Sequence, residues 1–71
     1  MMHPIGTAPR DGSVFIGFDR TNRGFLVFWD HLRNCLVNLE NDRPVPVQTV
    51  CVWVPYPEDG DVHSTIMHYR N

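Results

Sequence analysis

The chain predicts a single, mainly β domain: a small twisted antiparallel sheet or half-open barrel of four to five strands. One short helix around 31–40 is the alternative for that stretch. Three observations carry this. Nine valines, eight aromatic residues and six prolines stand against one alanine, two glutamates, one glutamine and no lysine. Residues that suit a pleated sheet dominate, and strong helix formers are nearly missing. The longest apolar runs are five or six residues, and polar, glycine-bearing segments separate them; that is the length and punctuation of strands. With 71 residues in all, there is room for one core and one domain, spanning 1–71.

Each element follows in order. Pro4–Gly12 holds Pro4, Gly6, Pro9 and the Asp11-Gly12 pair, which predicts an extended arm closing in a turn. Ser13–Phe18 reads as a first strand, with Val14, Ile16 and Phe18 on one face and Phe15 and Gly17 on the other. Asp19–Gly24 is a polar hairpin loop ending in glycine. Phe25–Trp29 is apolar on both faces and therefore central. Between Asp30 and Asn41, Leu32, Cys35, Leu36 and Leu39 have helical spacing behind Asp30 as an N-cap. The same stretch also reads as a turn over Asp30–Asn34 and a strand over Cys35–Leu39. Asn34, Val37 and Asn38 are poor helix formers and favour the strand. Val45–Val54 alternates with valine on both faces and predicts another central strand, with Val45, Val47, Cys51 and Trp53 opposite Val50, Val52 and Val54. Pro46 belongs near an edge or the strand start, and Pro55 and Pro57 stop it. Residues 59–71 form a tail or a fifth, edge strand, with Val62, Ser64, Ile66 and His68 against His63, Thr65, Met67 and Tyr69.

The formal net charge is −2 with a pI near 6.0, and the six arginines are scattered singly among acids. A duplex-binding domain clusters its cations and has a far higher pI, so no direct nucleic-acid role is expected. The chain offers no apolar run long enough for a membrane span. Its start, Met1-Met2-His3-Pro4, lacks the basic and apolar regions of a signal peptide. Cys35 and Cys51 are then expected in a reducing cytoplasm as small buried hydrophobes, with a cross-strand disulfide the other option.

Metal and catalytic chemistry find little footing. His31-x3-Cys35 and His63-x4-His68 have ligand-like spacing, but compact zinc knuckles are lacking. A Cys35–His31 nucleophile would need an electropositive, partly exposed setting, whereas these cysteines sit among leucine and valine. No glycine-rich phosphate loop occurs, since the five glycines are isolated from one another. The expectation is no enzymatic activity, no cofactor and no metal.

Pro4-Ile5-Gly6-Thr7-Ala8-Pro9-Arg10-Asp11-Gly12-Ser13, the apolar strand and hairpin after it, Phe28-Trp29, and Trp53-Val54-Pro55-Tyr56-Pro57-Glu58 together carry a resemblance. Over residues 4–58 the chain resembles a group of short uncharacterised phage and prophage proteins that open with P-I-E-T-A-P-K-D-G-T and close with T-H-W-M-P-L-P. Gly6 replaces the usual glutamate, Cys51-Val52 replace Thr-His, and Met2 replaces a tryptophan. The motif is also explained by structure, which is the favoured reading: the prolines and Asp-Gly set an arm and turn, and Trp-x-Pro ends a buried strand. The resemblance implies a phage origin and the cytoplasm of a bacterial host, and it brings no activity.

Phe15, Phe18, Phe25, Phe28, Trp29 and Trp53 exceed what one sheet hides by itself. Either the sheet curls into a barrel, or a partner covers one face, as a homodimer or as a foreign protein. Edge strands near the tail would also permit strand addition. The expected role is a small non-enzymatic phage or mobile-element protein that binds and inhibits a host protein, an anti-defence or anti-CRISPR-like inhibitor. The alternatives are a self-assembling or scaffolding accessory module and, third, a metal-dependent enzyme. The expected partner-binding residues are Arg20, Thr21, Asn22 and Arg23 in the hairpin loop, with Asp59, Asp61 and Tyr69 of the tail.

Overall fold

The computed structural model describes residues 1–69; Arg70, the sixth arginine, lies outside the described residues. Six antiparallel strands, β1 (His3–Pro4), β2 (Phe15–Asp19), β3 (Gly24–Asp30), β4 (Cys35–Asn38), β5 (Pro44–Val45) and β6 (Val50–Pro55), form one open sheet in the order β1-β6-β2-β3-β4-β5. One helix, α1 (Val62–Tyr69), follows. The mainly β expectation holds, with more strands than four or five and without curling into a barrel. The two additional strands are two residues long and form the two edges of the sheet.

Pairing opposite Val27 places Phe15 on one face, and pairing opposite Leu26 places Ile16 on the other. The buried residues Phe15, Val27, Leu36 and Val50 make a first cluster, against which Ile5, Ala8, Trp29 and Trp53 pack. The arm thus folds back as a cover for this face. Thr7 fixes it: its hydroxyl donates to the Pro4 carbonyl at 2.7 Å and accepts from the Trp53 indole N–H at 3.2 Å. Arg10 stacks 4.5 Å over the Trp29 ring. On the opposite face Ile16, Phe18 and Val54 are buried under Met2, Leu26, Val52, Val62, Ile66 and Tyr69.

The tail is therefore neither a free arm nor an edge strand. Val62, Thr65, Ile66 and Tyr69 fall at i, i+3, i+4 and i+7, a helical stripe, and Asp61 caps it by accepting from the Ser64 N–H at 3.0 Å. Loose two-residue alternation hid that stripe. The opposite correction applies to the helical spacing at 31–40, where the strand alternative is realised. Asp30 Oδ1 accepts from the N–H groups of Leu32 (2.9 Å) and Arg33 (3.3 Å), so it closes a turn rather than opening a helix. Leu32 is 98% exposed and belongs to no buried stripe.

The stretch 45–54 is also broken. Pro44 and Pro46 confine pairing to β5, and a 3-10 turn over Val47–Thr49 leads into β6. Between the pairs Phe18–Val52 and Asp19–Val50 the register shifts by one residue. Cys51 is the extra residue of that bulge, so Val50 joins Trp53 on the first face instead of Val52 and Val54. Cys51 is exposed and Cys35 half-buried, and both are free; neither is the buried hydrophobe expected. From β6 to β4 there are three strand steps, roughly 14 Å, beyond disulfide reach within one chain.

Candidate interaction surface

The hairpin loop between β2 and β3 is rigid because Asp19 organises it. Its Oδ1 accepts from the Thr21 N–H (2.9 Å), the Thr21 hydroxyl (2.7 Å) and the Arg23 N–H (3.0 Å). The Thr21 hydroxyl is the main reason that the Asp19 carboxyl titrates below the usual carboxylate range. Asn22 takes a left-handed φ of 65°, a conformation asparagine tolerates. Arg20, Thr21 and Arg23 are left exposed.

Asn22 joins this loop to the end of α1, donating from Nδ2 to the Tyr69 carbonyl at 3.3 Å. Tyr69 itself is half-buried. Its ring meets Phe18 edge-on at 6.2 Å, and its hydroxyl accepts from the Met1 amino group at 2.9 Å. Tyr69 is an anchor of the helix, with little free surface of its own. Asp59 and Asp61 stand at the other end of α1. Asp59 accepts from the Asp61 N–H (2.9 Å), and the Ser64 backbone N–H holds the Asp61 carboxyl below its usual range. Eight helical residues span about 12 Å. The structure thus joins Arg20–Arg23 to Tyr69 and places Asp59 and Asp61 a helix length away.

The surface that the sequence reading missed lies beside α1 on the same sheet face. Val14, Leu26, Leu39 and Tyr56 line a shallow, mostly apolar depression of about 380 Å³. Helix α1 packs over Phe18 and Gly24, which pair with each other across β2 and β3. Leu39 is 46% and Tyr56 45% exposed. Val14 and Leu26 belong to strand alternation that the sequence displays. Tyr56 lies just beyond the end of β6, where no periodic signal marks it, and Leu39, the last residue of the predicted strand, lies just beyond β4. On the arm side, the slot beneath Ile5, Pro9 and Arg10 leaves about 10 Å³, room for no more than a water.

The residues with ligand-like spacing are spread. His63 and His68 are exposed on α1 and, five residues apart, project roughly 140° from each other. His31 is on the exposed turn before β4. Among the described residues no three His, Cys, Asp or Glu side chains gather as a metal site, and no helix is long and apolar enough to cross a membrane. The sheet edges offer little for strand addition: both edge strands carry a proline, which withholds an N–H. No family model, no curated protein and no solved structure matches the chain.

Proposed function

We infer that the chain is a small non-catalytic binding module of phage or mobile-element origin that attaches to a host protein and inhibits it, a defence effector such as a CRISPR nuclease being the target class. The observation that carries the reading is the half-open sheet face, where Val14, Leu26, Leu39 and Tyr56 present an apolar surface to solvent. A concave, mostly apolar depression is a common form of binding site. The resemblance of Pro4–Ser13 and Trp53–Glu58 to short phage proteins supplies the biological setting. Arg20 and Arg23, exposed on a loop held rigid by Asp19, would supply polar contacts at the rim, where charge sets on-rate and partner choice; Asp59 would do so at the far end of α1.

The test is a stoichiometric capture from bacterial lysate with the intact chain and with a Leu39→Ser/Tyr56→Ser variant as baits. The expected result is one host protein held by the intact chain, released by the variant, and losing its own activity when the intact chain is added. Sedimentation showing a tight homo-oligomer with no foreign partner would replace this reading with the scaffolding one.

A further inference from the structure

Glycine follows aspartate twice in the chain, at Asp11-Gly12 and Asp59-Gly60. With no Cβ on the following residue, the backbone nitrogen is open to the aspartate carboxyl. We propose that Asp11 is a site of spontaneous covalent modification, converted to isoaspartate in the folded chain, while the turn around Asp59 protects the second pair. The Gly12 nitrogen attacks Cγ of Asp11. An N–Cγ bond forms, the nitrogen gives up its proton, and the carboxyl hydroxyl leaves with that proton as water. Water then reopens the succinimide ring. Breaking its bond to the former backbone carbonyl leaves the chain running through Cγ as isoaspartate; breaking the N–Cγ bond restores aspartate. A water is released and a water is taken up, so no other reactant enters.

Locally the two pairs look alike. Both are exposed, and each aspartate Oδ1 accepts at 2.9 Å from the N–H two residues on, that of Ser13 or of Asp61. Both glycines have positive φ, 91° at Gly12 and 75° at Gly60. The attacking nitrogen separates them. The Gly60 N–H donates to the Pro57 carbonyl at 3.0 Å, and the Gly60 carbonyl accepts from the Val62 N–H at 3.0 Å. That nitrogen must surrender a hydrogen bond before it can lose its proton. Its peptide would also have to rotate between β6 and Asp61, the cap of α1. The Gly12 N–H, by contrast, donates to no acceptor among the described residues, and no backbone–backbone bond holds Pro9–Ser13 there. The arm is held at this point through a side chain, Arg10 on Trp29. Ser13 sets the pace. Its hydroxyl donates to Asp11 Oδ1 at 2.6 Å and, with the Ser13 N–H, keeps the Asp11 carboxyl below its usual range. The neutral acid is the form that loses water, so conversion quickens as pH falls.

The test is prolonged incubation of the intact chain at mildly acidic and mildly alkaline pH, folded and in concentrated urea. Isoaspartate is counted by methyl transfer from an isoaspartyl methyltransferase and located by electron-transfer fragmentation of the peptides. In the folded chain the amount at position 11 is expected to exceed that at 59 about fivefold, the weight of the hydrogen bond that Gly60 keeps. More should form at the acidic pH. In urea, where both turns are lost, the two positions should convert at similar rates. Asp11→Glu should remove most of the folded chain's signal, because a glutamate closes the corresponding ring far more slowly. The side chain at 11 is exposed, so this variant should keep the fold. Conversion at 59 equal to or faster than at 11 in the folded chain overturns the proposal. So does the same excess at 11 in urea, since sequence and not the turn would then decide. A folded chain that forms no isoaspartate at 11 while the unfolded chain does so overturns it as well.

Discussion

Gly24 is where α1 comes closest to the sheet. A Cβ there would stand 2.9 Å from Ile66 Cγ1 and 2.9 Å from Phe18 Cε2. Phe18 is fully buried and has nowhere to turn, so the helix must give way. Gly24→Ala is expected to cost about 1–3 kcal/mol by overpacking, read from the urea midpoint. The accompanying sign is a shifted Tyr69 ring resonance, because that ring rides on Phe18. The sequence shows a glycine at the end of a polar loop, and a turn residue is the natural reading. Its β conformation and its contact with a helix 42 residues away become visible only once α1 is docked.

At the level of elements, short polar side chains write the turns. Asp11 accepts from Ser13, Asp19 from Thr21 and Arg23, Asp30 from Leu32, Asn38 from Glu40, and Asn41 from Arg43. These bonds favour ionised aspartate, so the carboxyls of Asp11, Asp19 and Asp61 titrate below their ordinary value of 3.8. The sign follows from linkage. The unfolded chain takes up protons first as pH falls, so the stability these groups contribute is complete above 3.8 and is lost as pH drops through their lower folded values. The urea midpoint should stay level down to about pH 5 and then fall. Asp19→Asn with Asp61→Asn should flatten that acid limb; an unchanged limb would show that these turns do not couple to global stability. The turn positions were legible because Asp, Asn and Gly mark them chemically. The tail helix was harder to see, since eight residues containing valine, threonine and isoleucine look strand-like until Asp61 is recognised as their cap.

For the whole molecule, the sheet order decides what the two cysteines do. Cys51 stands on a bulge in β6 and Cys35 at the start of β4, with β2 and β3 between them. Under mild oxidation the expected product is a dimer linked through Cys51, which is exposed, and no internal bridge. Non-reducing electrophoresis checks this: Cys51→Ser should abolish the dimer and Cys35→Ser should leave it. The same order explains how so small a sheet covers two faces. The arm returns over one, through Ile5 and Ala8, and α1 packs on the other, through Val62, Ile66 and Tyr69. The apolar excess that suggested a partner is thus largely absorbed by the chain's own ends. Among the described residues, Leu39 and Tyr56 stay exposed on the α1 face.

Composition alone determined the sheet. Nine valines, eight aromatic residues and a near absence of alanine and lysine bias every local choice toward extended backbone. Prolines and Asp-Gly pairs placed the breaks, and local alternation correctly divided Ile16 and Phe18 from Phe15. Tertiary structure decided the rest, because the deciding contacts join residues far apart in sequence. The bulge that turns Val50 away from Val52 depends on pairing with β2, and the helical choice for 62–69 depends on a sheet face able to receive Val62, Ile66 and Tyr69. Which apolar residues stay exposed was settled last, by how far α1 reaches across that face.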